Sequence, residues 1–172
     1  MPSLLDTICV TTFTITDLHR RLGLLQECLE EVMYHGDRMS TQTRTEMCRA
    51  YATKIATTDD ARVLSTWGEQ VWESFTFKNL VEGVALLKRE SDVLPQMVLY
   101  TPVVFDAAAL ELVGRWLRES VNPKLMLEVH VDASVTGGCA FVANSTYYDF
   151  SFRHLLTSQK GLVANLLSSY EK

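Results

Sequence analysis

Apolar residues recur with a helical period up to Pro95 and with a strand period after it. Leu18, Leu22, Leu25, Leu29 and Val32 follow alternating steps of four and three, which puts them on one face of a helix. The spacing predicts a helix from about Thr16, as cap, to His35, ended by Gly36. A second helix is expected from Ser40 or Thr43 to Ala56, with Thr43 and Glu46 as a capping box and Met47, Ala50, Tyr51 and Ile55 inward. Thr58-Asp59-Asp60 opens a third, carrying Leu64, Trp67, Val71, Trp72 and Phe75. A fourth covers Phe77 to Arg89, with Phe77, Leu80, Val81, Val84 and Leu87 inward. Helix–helix core explains the aromatic stripe Trp67, Trp72, Phe75 and Phe77 better than a cofactor pocket does.

Beyond Pro95 the texture changes. Gln96–Thr101 reads as a strand stopped by Pro102. Phe105, Ala109, Leu112, Val113, Trp116 and Leu117 mark an amphipathic helix, and Asn122-Pro123 a turn. In Leu125–Val131, alternation sends Leu125, Leu127, Val129 and Val131 to one face and Lys124, Met126, Glu128 and His130 to the other. Cys139–Ala143 and Thr146–Asp149 form a hairpin about Asn144-Ser145. A last helix is expected from Ser151 to Tyr170, with Phe152, Leu155, Leu156, Leu162, Val163, Leu166 and Leu167 as its stripe. The expected class is α+β: an N-terminal helical bundle, 1–93, followed by a small β-α-β-β-β-α domain, 94–172. A strand–helix–strand crossover makes the first two strands parallel, and both helices are expected on one face of the sheet.

Composition narrows the function classes. Two halves of a 172-residue chain are each near the low end for independent folding, so both should gain from contact with each other or a partner. The net charge is −5, and the basic pairs Arg20-Arg21 and Lys88-Arg89 are flanked by acids, which argues against nucleic acid as a partner. Cys9, Cys28, Cys48 and Cys139 form no C-x-x-C and suit reduced, buried thiols. No segment has the run of about 18 apolar residues that a membrane span needs, and the N-terminal residues lack a basic, apolar leader pattern. These features predict a cytoplasmic protein, reaching a membrane only through partner subunits.

Motifs for catalysis are missing. There is no G-x-S-x-G, no phosphate-binding G-x-x-x-x-G-K-[ST] and no H-E-x-x-H, and no two of the four histidines lie at helical ligand spacing. Glu27, Glu30 and Glu31 read as a solvated helix face, and Arg153 and His154 as surface residues that could meet an anion. The one enzyme-like cluster is His130, Asp132 and Ser134 beside Gly137-Gly138, which could place a base, a nucleophile and backbone donors together. Alternation puts His130 and Asp132 on an exposed face, and paired glycines also serve turns. The reading assigns no catalytic, cofactor-binding or metal residue.

The pattern Asp132-Ala-Ser134-Val-Thr-Gly137-Gly138, an apolar strand, then Tyr148-Asp149-Phe-Ser151 and Leu155-Leu156 resembles the end of the delta subunit of F-type ATP synthases, the oligomycin-sensitivity-conferring protein family. The likeness covers roughly Leu94 to Leu167, with Ala133, Val135 and Phe150 where the family usually has proline, leucine and glycine. The front half, with about four expected helices against the family's six, resembles a shortened bundle.

The resemblance implies a non-catalytic stator subunit. It would link the catalytic head to the peripheral stalk and resist rotor torque during proton-driven ATP synthesis. The implied partners are the N-terminal helix of the ATP synthase alpha subunit and the C-terminal ends of the b subunits. Asp132, Ser134, Gly137, Gly138, Asp149 and Ser151 are the structural motif. Leu162, Val163, Leu166, Leu167 and Tyr170 are the candidate partner-binding residues, since a helix of about 20 residues is some 30 Å long and should outrun a small sheet. Two alternatives stand beside this: a small α/β enzyme using His130, Asp132 and Ser134, and an adaptor that reuses the fold.

Overall fold

Six helices precede the first strand in the computed structural model, which describes residues 3–35 and 41–161. They are α1 (Leu4–Cys9), α2 (Ile15–His35), α3 (Thr41–Ile55), α4 (Thr58–Thr66), α5 (Glu69–Glu73) and α6 (Leu80–Asp92). The expectation of about four is thereby corrected. α1 and α5 have six and five residues, too few for a period to register. α1 is announced instead by its cap: Ser3 and Asp6 form a capping box. The expected third helix divides because Trp67 is extended (ψ 129°) and Gly68 opens α5 as its N-cap. For α2 the capping oxygen belongs to Thr14 rather than Thr16, accepting from the Asp17 amide at 3.1 Å. Thr43 falls inside α3, not at its start.

The chain falls into two compact units, Met1–Pro95 with Ala107–Met126, and Gln96–Asp106 with Leu127–Lys172. In the first, the helical unit, α2 contributes Leu18, Leu22, Leu25, Cys28, Leu29 and Val32 to a core closed by Trp67, Val71, Trp72 and Phe75. α3 presents Thr45, Cys48 and Ala52, with Met47, Tyr51 and Ile55 partly buried beside them; Ala50, expected inward, is exposed. Phe77 and Val81 are also exposed, at 77% and 62%. α6 begins only at Leu80, after Asn79 accepts hydrogen bonds from the Thr76 amide and hydroxyl. Phe77 therefore precedes the helix, and the inward face is Leu80, Val84, Leu87 and Ser91.

The same unit holds a buried ion network. Asp60, at the N-terminal end of α4, accepts from Arg20 Nε and Nη2 at 2.8 and 2.9 Å and from Arg21 Nε at 2.8 Å. Arg21 also donates to Asp59 and to the Thr12 hydroxyl. Burial pushes the Asp60 carboxyl up, but donors from Arg20, Arg21 and Thr57 outweigh it and hold the group at about 2.

α7 (Ala107–Ser120) belongs to the helical unit, although the expected boundary at 93/94 placed it with the sheet. Two residues decide this. Gly114 lies against Phe13, and a Cβ there would stand 2.6 Å from the Phe13 side chain. Arg118 donates to the carbonyls of Leu125 (2.9 Å), Cys9 (2.5 Å) and Thr12 (2.8 Å), with its guanidinium 4.6 Å from the Phe13 ring centroid. Its inward face is thus Gly114 and Leu117, while Leu112 and Trp116, expected to mark the apolar face, are exposed.

The second unit is built on a four-stranded sheet in the order β2-β1-β3-β4: β1 (Gln96–Thr101), β2 (Met126–Val131), β3 (Ala140–Ala143) and β4 (Thr146–Asp149). β2 runs parallel to β1. The Met126 amide bonds to the Pro95 carbonyl and the Asp132 amide to the Thr101 carbonyl, so both strands advance together. β1–β3 and β3–β4 are antiparallel, with Leu99 opposite Phe141 and Phe141 opposite Tyr148. Asn144 and Ser145 turn the hairpin with φ of 49° and 62°, the two positive values a type I′ turn requires. The unit ends, among the described residues, in α8 (Phe152–Ser158). The α+β class holds. No helix of the described residues is long and apolar enough to cross a membrane.

Candidate functional site

The segment from Asp132 to Ser151 turns twice by the same device. Asp132 Oδ1 accepts from the Ser134 amide at 2.8 Å, and Asp149 Oδ1 accepts from the Ser151 amide at 2.8 Å. Both are Asp-x-Ser steps in which the carboxylate closes a turn two residues on. Hydrogen bonds from Ser134, side chain first and then amide, hold the Asp132 carboxyl below its ordinary value. Ser151 acts likewise on Asp149, with a smaller contribution from His154.

Between these turns lie the two glycines. Gly137 and Gly138 have φ of 71° and 75°, in the left-handed region. A Cβ on Gly137 would lie 2.5 Å from the Phe152 ring, and one on Gly138 would collide with the Phe150 carbonyl oxygen. Glycine is required twice over, by dihedral and by space. Among the described residues only Asn144 and Ser145 are non-glycine positions at positive φ, so Phe150 keeps an ordinary backbone where the resembling family has glycine. Its ring stacks at 5.6 Å on Phe141, which also stacks on Tyr148 at 5.0 Å.

Main-chain bonds tie the loop to the helix it precedes. The Phe152 amide donates to the Gly137 carbonyl (3.2 Å) and the Phe150 amide to the Cys139 carbonyl (2.9 Å). Ser151, buried, is the N-cap of α8: its hydroxyl accepts from the His154 amide at 3.2 Å. The arrangement fixes where α8 starts and in which direction. Phe152, Leu155 and Leu156 then stand exposed along its described turns. The candidate partner residues Leu162, Val163, Leu166, Leu167 and Tyr170 lie outside the described residues.

Of the enzyme-like trio, Asp132 and Ser134 bond to each other while His130 turns to other residues. His130, exposed, has Nε2 3.0 Å from Glu128 Oε1 and stacks on Tyr100 with centroids 5.6 Å apart. Asp132 is engaged by the Ser134 amide, and Ser134 is exposed. Among the described residues no three His, Cys, Asp or Glu side chains converge as a metal site would need. The four thiols are free. Burial raises Cys9 and Cys48 to about 11 and Cys28 to about 12, so these three are not ready nucleophiles at neutral pH.

Sequence reasoning missed the aromatic half of this site. Phe150 and Phe152 meet the glycine pair directly, and their spacing of two across a capping serine was the available signal. It also missed Glu128, which takes the histidine that the enzyme reading had paired with Asp132. No protein-family model and no curated protein matches this chain.

Proposed function

We propose that the chain is a delta-type stator subunit of an F-type ATP synthase: a non-catalytic connector, cytoplasmic and peripheral to the membrane through its partners. One observation carries the reading. The residues that resemble the family's motif have interlocking structural duties, and those duties are to set the start of the last helix. A motif whose aspartates close turns, whose glycines admit a tight crossing and whose serine caps a helix needs no substrate to explain it. Six helices before the first strand, among the described residues, agree in number with the bundle the resemblance implies.

On this reading the helical unit receives an N-terminal helix of the alpha subunit, and the C-terminal helix meets the ends of the b subunits. Neither contact asks for reactive groups, only for rigid placement of apolar faces against rotor torque. The test is binding of the full chain to a purified C-terminal b-subunit fragment, before and after changing Leu166→Ser and Tyr170→Asp together. Binding by the parent chain, lost in a variant that melts as the parent does, is the expected result. Undiminished binding by the variant would remove Leu166 and Tyr170 from the interface, and no binding by either would count against the stator reading.

A further inference from the structure

We propose that the open face of the sheet is a docking surface for an arginine-bearing amphipathic helix of a partner protein. The proposal stands on the face itself and does not depend on the stator reading. Directly opposed residues of antiparallel strands lie on the same side of a sheet. The register therefore makes two rows: Val98, Val142 and Tyr147 in one, Tyr100, Ala140 and Asp149 in the next. β2 extends the second row, since His130 stacks on Tyr100 and bonds to Glu128. The opposite face carries Met97, Leu99 and Leu127, all buried, with Val131 and Tyr148 exposed at its margins. The first face is closed at Met126 and Ala140 and opens toward β4. Val98, Tyr100 and Val142 are half-buried, and Tyr147 is 58% exposed.

The chemistry of the face selects its occupant. Its centre is apolar and aromatic, which suits the apolar stripe of a helix. Its edges carry the carboxylates of Glu128 and Asp149, and none of the four strands contains a lysine or arginine. The described basic side chains of this unit, Arg153 and Lys160, lie in α8 and just past it. Desolvation, then the carboxylates of Asp149 and Asp132, push the Tyr147 phenol upward, a sign of the local negative field. Arginine fits better than lysine here. Its planar guanidinium stacks on tyrosine and imidazole faces and can bridge to a carboxylate beside them. A sheet face, unlike a sheet edge, offers no free backbone ladder, so the partner comes as a helix rather than an added strand.

The experiment uses the full chain and a synthetic helical peptide of about 18 residues, five turns, with leucines on one side flanked by arginines. Binding is read by fluorescence anisotropy, and backbone amide NMR shifts locate it. The expected result is saturable binding that weakens with salt and shifts signals from 96–101, 128–131 and 140–149. A peptide with glutamate at each arginine should not bind. Tyr147→Ser with Glu128→Gln should weaken binding about tenfold, as loss of an exposed cation–π contact and a rim charge would. Glu128→Gln alone, a nearly isosteric change, should lower the salt dependence and so tests the claim even if the double variant folds poorly. Shifts confined to other residues, equal binding of the glutamate peptide, or binding only after removal of residues 162–172 would each overturn the proposal; the last would make the chain's own tail the occupant.

Discussion

The helical unit and the sheet unit satisfy their residues in opposite ways. The helical unit turns inward. The α2 leucines, Trp67, Trp72, Cys28 and Cys48 are buried together, Leu112 and Trp116 of α7 standing apart in solvent, and its most polar feature, Asp60 between Arg20 and Arg21, is internally paired. The sheet unit spends its hydrogen bonds on turns and one helix cap, and leaves Tyr147, Tyr148, Phe150, Phe152, Leu155 and Leu156 exposed. Exposed aromatic and leucine side chains in number mark a surface that works with partners, and the shorter sheet unit carries them at the higher density. The helical unit holds the larger core, and the much shorter sheet unit exposes a comparable set of large apolar side chains.

The sharpest way to break this comparison is to unpair the helical unit. Asp60→Ala leaves Arg21 buried without its partner and should cost about 3–5 kcal/mol, seen as a lowered denaturant midpoint. A loss below about 1 kcal/mol, the scale of an exposed pair, would mean that the network is more hydrated than its geometry indicates. In the sheet unit the most damaging single change is expected at Gly138. Gly138→Val combines a left-handed backbone with a collision against the Phe150 carbonyl, and about 2–3 kcal/mol is expected. Unchanged melting would refute the assigned role of the glycine pair.

Acid sharpens the contrast. Asp60 is held at about 2 against an ordinary 3.8, so its folded value is the depressed one. Its stabilisation is complete above about pH 4 and is lost as pH falls through about 2, a contribution of about 2 kcal/mol. Urea midpoints followed by tryptophan fluorescence should fall across that window in the parent chain and much less in an Asp60→Asn variant. All three tryptophans, Trp67, Trp72 and Trp116, lie in the helical unit.

How far the sequence foretold this follows from what periodicity can register. The α2 stripe was legible because 21 residues repeat the pattern, and the glycine pair because its spacing to Asp149 and Ser151 is distinctive. α1 and α5 escaped because one turn and a half has no period. Phe77 and Val81 were misplaced because spacing reports a shared face without saying where the helix begins. The allegiance of α7 was illegible for another reason. An amphipathic pattern names the inward residues only by hydrophobicity, while this helix is seated by Gly114 and Arg118, one without a side chain and one charged.

Smaller effects probe the sheet unit's surface. Ser151→Ala removes the cap of α8 and should cost about 1 kcal/mol, with amide exchange at His154 rising as its hydrogen bond is lost. Leu155→Ser with Leu156→Ser should change stability by no more than about 0.5 kcal/mol, because both side chains are already exposed. A large loss there would show that these leucines are covered in the folded chain and would move the recognition surface elsewhere.

The most direct measurement is purification of the intact F-type ATP synthase from the cells that make this chain, through a tag on the b subunit, with the co-purifying chains identified and counted by mass spectrometry. The stator reading predicts this chain in the complex at a fixed stoichiometry to alpha and b, and a complex that separates head from stalk when the chain is deleted. A coupled, fully assembled ATP synthase that lacks the chain, with the chain recovered on unrelated proteins, would contradict it.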